Sequence, residues 1–167
     1  RPASAPKRFS AQARSRILVK EMSEARILIV DDEYLIRFTL QQNLTKEGYE
    51  VLLAETGEEG LEKVAEEAPD LMLLDIKLPG MDGYDVLQKT LEIDQNIIPI
   101  MITAYEDVER IVRAIRLGAF DYITKPFDFD KVYLSIRKAL EASQLKREVK
   151  HLREEQRHRF GFDHIVA

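Results

Sequence analysis

Five short apolar runs, each followed by a stretch of helical pattern, constrain the fold of this chain more than any other feature. The runs occupy 26–30, 49–54, 70–74, 97–102 and 120–124. Apolar runs of this length are typical of strands buried on both faces of a parallel sheet. Because strand and helix alternate strictly, the connections are expected to be right-handed crossovers that place helices on both faces. The sequence therefore predicts an α/β fold with a doubly wound, five-stranded parallel sheet.

Helical patterns connect these runs and continue after the last one. The predicted helices cover about 34–47, 57–67, 84–92 and 106–117, and a longer helix begins near Asp128. The start of this last helix carries an apolar stripe expected of a helix docked on a sheet. The stripe consists of Phe129, Val132, Tyr133, Ile136 and Leu140.

Polar side chains stand directly after four of the apolar runs. They are Asp31 and Asp32, Asp75, Thr103, and Lys125. In a sheet of this kind, ligands bind in the crevice at the carboxyl ends of the strands, so these residues are expected to converge on one edge. Crowded carboxylates repel unless a cation neutralises them, and Mg²⁺ prefers oxygen ligands. The pattern predicts a site that holds a divalent metal and accepts a phosphoryl group.

Phosphoryl transfer needs in-line positioning and neutralisation of the phosphoryl oxygens. A metal-bound carboxylate of Asp75 keeps a second oxygen free to attack phosphorus. Lys125 would supply a second positive charge and Thr103 a hydrogen bond. Pro126 permits a cis peptide bond after the lysine.

Each of these residues also has an ordinary structural explanation. Asp32 could cap the following helix, Thr103 could cap the helix beginning near Glu106, and Lys125 with Pro126 could form a turn. The convergence of all of them on one edge of the sheet favours the functional interpretation.

Charge and composition exclude several classes of protein. The chain has 167 residues, a net charge of −5 and no cysteine, so disulfides and thiolate metal sites are excluded. Residues 1–20 carry basic side chains and no acid, which leaves the remainder more acidic than the total and argues against direct nucleic-acid binding. No apolar stretch reaches the roughly 18–20 residues needed to span a membrane.

The two ends of the chain differ from its centre. Residues 1–22 are expected to be a disordered leader with Met22 as the natural start, although their Arg- and Ser-rich composition also suits a transit peptide. At the other end, 143–160 is expected to be a linker helix that Gly161 ends. Residues 161–167 would then begin a truncated downstream segment.

The linker carries a short apolar stripe of Leu145, Val149 and Leu152, spaced four and then three residues apart. This spacing is a weak coiled-coil signal, and it is also compatible with a solvated single helix. A dimerising coiled coil and a monomeric linker both remain open from the sequence.

Residues 24–142 resemble the receiver domain of bacterial two-component response regulators. Four stretches carry the resemblance: IleLeuIleValAspAspGlu (27–33), LeuMetLeuLeuAspIleLysLeuProGlyMetAspGly (71–83), IleMetIleThrAla (100–104) and GlyAlaPheAspTyrIleThrLysProPhe (118–127). The resemblance implies a flavodoxin-like fold with strand order 2-1-3-4-5. It also implies a cytoplasmic signalling domain rather than an enzyme acting on external substrates.

The resemblance further implies that a sensor histidine kinase phosphorylates Asp75. Asp32 and Asp75 would bind Mg²⁺ directly together with the backbone carbonyl of Lys77, and Asp31 would contribute through a water molecule.

Switching and phosphoryl lifetime are also implied by the family. Thr103 and Lys125 would bind the phosphoryl oxygens, and Tyr122 would swing inward as Thr103 moves toward the phosphate. Lys77 and Tyr105 would modulate dephosphorylation, and their bulk suggests slow hydrolysis.

GlyAlaPheAspTyr (118–122) and LysProPheAsp (125–128), followed by a helical linker and PheAspHisIleVal (162–166), carry a second resemblance. It is to activators of the NtrC type, which work with the alternative sigma factor. In those proteins a AAA+ ATPase and a DNA-binding domain follow the linker, but this chain contains no Gly-x-x-x-x-Gly-Lys-Ser/Thr. The expected output is a homodimer formed through the helix over 106–117, the strand over 120–124, the final helix and the linker.

Two other functions compete with the phosphorylated switch. One is a receiver-like interaction module that is never phosphorylated. The other is a phosphoaspartate hydrolase, which would need a second aspartate two residues after the nucleophile, where this chain has Lys77.

Charges four residues apart on the helix over 106–117 predict ion pairs. Glu106 with Arg110 and Glu109 with Arg113 have this spacing, which usually marks a solvated helix face.

Overall fold

The computed structural model describes residues 25–166, and this part of the chain forms five strands and five helices. The strands are β1 (Arg26–Val30), β2 (Glu50–Ala54), β3 (Leu71–Leu74), β4 (Ile98–Thr103) and β5 (Asp121–Thr124). The helices are α1 (Tyr34–Lys46), α2 (Gly57–Glu67), α3 (Gly83–Ile93), α4 (Val108–Arg116) and α5 (Phe129–Val166). Every strand boundary lies within one residue of its prediction. The predicted leader over 1–22 lies outside the described residues.

All neighbouring strands are parallel, and their order is β2-β1-β3-β4-β5. The predicted fold and strand order are confirmed. Because every strand runs the same way, the residues that follow β1, β3, β4 and β5 meet at one edge of the sheet.

The sheet is buried on both faces, as the unbroken apolar runs predicted. In β1, Ile27 and Ile29 belong to the core that includes α1 and α5. Leu28 and Val30 point to the opposite face and belong to the core that includes α2, α3 and α4. This alternation follows from the two-residue period of a strand.

The first three turns of α5 dock on the sheet through the predicted stripe. Val132, Ile136 and Leu140 are buried, and Phe129 and Tyr133 pack against the same core. Helix α5 is also tied to its neighbours by polar contacts: Ser135 Oγ donates to Asp121 Oδ2 at 2.6 Å, and the Tyr133 hydroxyl bonds to the Asn43 amide oxygen at 3.2 Å.

Beyond Leu140, α5 leaves the sheet and its apolar residues become exposed. Leu145, Val149 and Leu152 are 61%, 44% and 58% exposed. The prediction that Gly161 ends this helix is wrong, because the backbone remains helical to Val166. A single interior glycine disfavours a helix by only about 1 kcal/mol relative to alanine, which is too little to stop it. None of the helices in the described part of the chain has the length and apolar character needed to cross a bilayer.

Candidate functional site

Strands β1 and β3 bring two acidic residues together at the edge of the sheet. Asp31 and Asp75 directly follow these adjacent strands, and the Asp75 amide donates to the Val30 carbonyl at 3.0 Å. Both residues are nearly inaccessible, at 3% and 5% exposure. The adjacency expected from the strand order is therefore present, and it holds two carboxyl groups in a largely desolvated position.

Lys125 joins these carboxylates from the end of β5. Its Nζ lies 2.7 Å from Asp31 Oδ2, 3.0 Å from Asp75 Oδ2 and 3.2 Å from Glu33 Oε1. Burial disfavours the charge of the ammonium group, but the hydrogen bonds and negative charges of Asp31 and Asp75 outweigh it, so the pKa of Lys125 is raised. The peptide bond to Pro126 is cis, as the sequence allowed.

The acidic cluster is larger than the sequence pattern predicted. One carboxylate oxygen from each of Asp31, Asp32, Glu33 and Asp75 lies within 4.8 Å of the others. Burial raises the pKa of Asp31, and the hydrogen bond from Lys125 only partly opposes it. Four carboxylates facing one lysine leave an excess of negative charge, and a set of oxygen donors is what Mg²⁺ prefers. The residues present therefore fit a divalent cation.

Glu33 was not predicted as a site residue, although the acid directly after the Asp pair was a visible signal. It occupies the cap position of α1 without a side-chain capping bond. The alternative that Asp32 caps this helix is therefore wrong, and the cap of α4 is Asp107 rather than Thr103. Neither Asp32 nor Thr103 therefore serves as the helix cap that was considered for it.

Asp31 is held from several sides. Its Oδ1 accepts the Glu33 amide at 2.9 Å while its Oδ2 accepts Lys125. The guanidinium of Arg37 donates to the Asp31 carbonyl at 2.7 Å and pairs with Glu55 at 3.2 Å. Arg37 was missed by sequence reasoning. Its position three residues before Leu40, on the buried side of α1, was the signal that could have found it.

Thr103 ends β4 with a hydroxyl that has no partner. Its Oγ1 is buried and makes no hydrogen bond within the described residues. A buried polar atom without a partner is unfavourable. Thr103 is next to Lys125, whose amide donates to the Thr103 carbonyl at 2.8 Å, so this hydroxyl is suited to bond an oxygen of an incoming group.

Tyr122 in β5 is anchored to the loop after β4. Its hydroxyl donates to the Tyr105 carbonyl at 2.6 Å, and the side chain is half-buried. Burial raises the pKa of Tyr122 to about 12, so the phenol remains a donor at neutral pH. The expected switch residue is therefore linked to the segment that follows Thr103.

Arg110 does not make its predicted ion pair with Glu106. Its guanidinium stacks over the ring of Tyr105 at 3.9 Å, and its Nη1 lies 3.0 Å from Asp107 Oδ1. The prediction is wrong because α4 begins only at Val108, so Glu106 lies before the helix and the four-residue helical spacing does not apply.

Arg113 likewise stacks on an aromatic ring instead of pairing with Glu109. Its guanidinium lies 4.1 Å from the centre of the Tyr84 ring, a cation–π contact between α4 and α3. Both stacked pairs line an open cavity of about 420 Å³ that also contacts Lys77. The two residues expected to modulate dephosphorylation, Lys77 and Tyr105, therefore border the same cavity.

Gly83 fixes the distance between α3 and the segment after β3. Its amide donates to the Ile76 carbonyl at 2.8 Å. A Cβ added to Gly83 would lie 2.3 Å from the Asp75 carbonyl oxygen and 2.5 Å from Ile76 Cα. Only glycine fits this approach, and sequence reasoning gave it no role.

The family model described as the response regulator receiver domain matches residues 27–137. The chain belongs to this family. Receiver domains are regulatory phosphoacceptor domains that bind Mg²⁺ in their acidic pocket and interact with histidine kinases.

Some relatives of this receiver domain have about the same length as the matched region, and others are much longer proteins. It is 44% identical to sporulation initiation phosphotransferase F of Bacillus subtilis over 71% of this chain and 96% of that protein. It is 38% identical to regulatory protein AtoC of Escherichia coli over 85% of this chain but only 31% of AtoC. The crystal structure of NtrX from Brucella abortus in complex with ATP has 40% identity and a TM-score of 0.73, covering 77% of this chain and 29% of NtrX.

These similarities confirm both resemblances at the level of the family. The receiver domain is that of a two-component response regulator, and its relatives include NtrC-type activators. Because the chain spans under a third of AtoC and NtrX, it corresponds to a minor part of those longer proteins.

We expect Asp31→Asn to stabilise this receiver domain when EDTA removes metal. Because the pKa of Asp31 is raised in the folded state, folding favours the protonated carboxyl. This contribution to stability is fully present below the ordinary pKa of 3.8 and is lost as the pH rises through the raised pKa. At pH 7 the variant should therefore unfold at a higher temperature than the parent, and this difference in midpoint should narrow as the pH falls through the raised pKa of Asp31. Thermal unfolding followed by circular dichroism would measure it, and a lower midpoint for the variant at pH 7 would contradict the prediction.

Proposed function

We propose that a sensor histidine kinase phosphorylates Asp75 in the presence of Mg²⁺, and that this modification controls dimerisation and a downstream AAA+ transcription activator. One observation carries the proposal: Asp75 is buried at the end of β3, bonded to Lys125 and surrounded by three further carboxylates. In the transfer, an Asp75 oxygen would form a bond to phosphorus as the bond from phosphorus to the kinase histidine breaks. The carboxylate is held for that attack by the lysine and by its own strand.

The proposed metal ligands are Asp32, Asp75 and the backbone carbonyl of Lys77, with Asp31 acting through water. Both oxygens of Asp31 already accept protein donors, which suits a role through water. The oxygens of Asp75 accept the Lys77 amide at 3.4 Å and Lys125 at 3.0 Å, so Asp75 would exchange one of these contacts for the cation. Asp32 is exposed and free to turn toward a cation. When bound, Mg²⁺ would neutralise charge on the phosphoryl oxygens.

Thr103 and Lys125 are proposed to bind the phosphoryl oxygens. The unpartnered hydroxyl of Thr103 would gain a hydrogen bond, and Lys125 would exchange part of its contact with Asp75 for a contact with the phosphoryl group. A phosphoryl group adds about −1.5 to −2 charges, so it interacts strongly with this ammonium.

The proposed switch moves Thr103 toward the phosphoryl group and turns Tyr122 inward. Its support is the bond between the Tyr122 hydroxyl and the Tyr105 carbonyl, two residues after Thr103. A shift of Thr103 would displace this carbonyl and therefore the partner of Tyr122. Phosphorylation can shift the output surface from one conformation to the other only if the phosphoryl group interacts more favourably with one of the two conformations.

The proposed output surface is the face formed by α4, β5 and α5, together with the linker stripe Leu145, Val149 and Leu152. This face exposes apolar side chains that a second copy could cover. They are Val108, Val112, Ile115, Phe120 and Leu134. The AAA+ and DNA-binding domains proposed for the full-length protein, and its cytoplasmic location, rest on the resemblance and on the longer relatives AtoC and NtrX.

The proposal is tested by the intact mass of the chain after incubation with Mg²⁺ and phosphoramidate. We expect a gain of one phosphoryl group in the parent and none in Asp75→Asn, an isosteric control that keeps the site's shape. An unchanged parent mass would support the interaction module that is never phosphorylated. Release of phosphate from an added ester over many turnovers would support the hydrolase instead.

We expect Tyr105→Ala to shorten the lifetime of the phosphorylated form. The ring of Tyr105, held by Arg110 at 3.9 Å, borders the cavity beside Lys77 and hinders the approach of water. The decay of the phosphorylated mass after removal of phosphodonor would measure the effect, and we expect a half-life shorter by several-fold. An unchanged half-life would remove Tyr105 from this role.

A further inference from the structure

The exposed end of α5 carries its charges in a heptad arrangement. With Ala142 and Val149 at position a, Leu145 and Leu152 fall at position d. A β-branched residue at a with leucine at d favours two strands in a parallel coiled coil. These apolar side chains are exposed in the single chain, so the seam has no partner there.

The residues that flank this seam differ in sign on its two sides. Position g is occupied by Glu141, Glu148 and Glu155. Position e is occupied by Lys146 and Arg153. Charges at e and g are the ones that face across a coiled coil and determine partner orientation.

The two cations have no acidic neighbour on their own helix. Lys146 and Arg153 have no Asp or Glu three or four residues away in either direction. Neither makes an ion pair among the described residues, whereas His151 Nε2 lies 3.2 Å from Glu155 Oε1 on the same helix. These two cations therefore gain no stabilising pair from their own helix.

A second copy in parallel orientation supplies the missing partners. In a parallel pair, position g of one helix faces position e of the next heptad in the other helix, five residues later. Glu141 then meets Lys146 of the partner subunit, and Glu148 meets Arg153 of the partner subunit. An antiparallel pair would place acid against acid and base against base, which is unfavourable.

We propose that residues 141–156 of two copies form a parallel, in-register coiled coil whose orientation is determined by the Glu141–Lys146 and Glu148–Arg153 pairs between chains. The inference rests on the proposed linker dimer and specifies its geometry. Because α5 runs without a break from the turns that dock on the sheet into the proposed coil, the two receiver domains lie at the same end of the coil. The segments that follow both linkers leave together at the other end.

Charge reversal on one side of the seam tests the orientation. Lys146→Glu with Arg153→Glu places glutamate against glutamate at every g–e contact of the parallel pair. The dissociation constant of the dimer, measured by sedimentation equilibrium at low salt, should rise at least about tenfold. Adding Glu141→Lys and Glu148→Lys to the same chain should restore it. In an antiparallel pair neither step would change the dimer, because each merely exchanges one like-charge contact for another.

A matched control separates the seam from overall charge. Arg147→Glu with Lys150→Glu makes the same change in net charge at positions f and b, which face away from the partner. We expect this variant to dimerise like the parent. Equal weakening by both double variants would overturn the proposed pairs.

Cross-linking tests the orientation independently, since the chain has no native cysteine. Leu145→Cys at position d should oxidise efficiently to a disulfide dimer, because a disulfide needs Cα atoms roughly 4.4–6.8 Å apart. In an antiparallel pair position d faces position a, so efficient disulfide formation only between Leu145→Cys and Val149→Cys chains in a mixture would identify that pair and overturn the proposal.

Failure of this inference and failure of the proposed function give different results. All samples are examined with Mg²⁺, with and without beryllofluoride, and the phosphoryl uptake of Asp75 is measured separately by mass. A monomer under every condition would overturn both the linker dimer and the coil while leaving the phosphoacceptor role intact. A dimer insensitive to charge reversal and to the cysteine pair would overturn only the coil.

Discussion

Gly83→Ala is expected to destabilise the fold by about 3 kcal/mol, the upper part of the range for overpacking. The new methyl group would meet backbone atoms of Asp75 and Ile76, at 2.3 and 2.5 Å, rather than a side chain that could rotate away. Either α3 or the end of β3 must therefore move. Chemical denaturation would measure the loss, and phosphoryl uptake should also slow because Asp75 moves with its backbone.

Val108→Ala is the matched control for Gly83→Ala. Both positions are the first residue of a helix that follows an aspartate cap, Asp82 in α3 and Asp107 in α4. Val108 is exposed, so its replacement should change the free energy of unfolding by no more than about 0.5 kcal/mol. Equal stability of the Gly83→Ala variant and the parent would show that the close approach is not rigid.

Lys125→Met is expected to destabilise the metal-free protein by about 3 kcal/mol at pH 7. The substitution keeps the volume of the aliphatic stem but leaves Asp31 and Asp75 buried beside each other without a positive charge. Removing one partner of a buried charged group typically has an effect of this size. Denaturation in EDTA would measure it. Millimolar Mg²⁺ should recover part of the loss, since a cation bound only by the folded state stabilises it.

Lys77→Met is the control for the loss of a lysine at this site. Lys77 lies two residues after Asp75, is exposed, and makes no side-chain ion pair among the described residues. Its replacement should leave the stability in EDTA unchanged. If Lys125→Met matched the parent in EDTA, the three contacts of Lys125 would have no net stabilising effect, and its importance would lie in phosphoryl binding alone.

The sheet and the centre of the site could be predicted from sequence because both depend on local patterns. An apolar run identifies a buried strand, and parallel strands place whatever follows them at one edge. Asp31, Asp75 and Lys125 are close together for this reason alone. The features that were missed depend instead on the path of the chain between elements.

Three examples show what the local pattern leaves open. Glu33 reaches the cluster because the turn after β1 points it there, and no periodicity encodes that direction. Arg110 stacks on Tyr105 because α4 starts only after Glu106, and Arg113 stacks on Tyr84 of α3 although Glu109 lies one turn before it in the same helix. The need for glycine at position 83 arises from contact with a strand end that is close only after folding.

Helix α5 has a mechanical consequence for the proposed signal. It runs without a break from the buried stripe at Val132 to Val166, so no flexible joint separates the sheet from the exposed seam. A helix advances about 100° per residue, and its two ends turn together. If the docked turns of α5 rotate about the helix axis against β5, Leu145 and Leu152 therefore rotate by the same angle. The phosphorylation state of Asp75 would then be transmitted to the linker as a rotation of α5, and no helix would need to unfold.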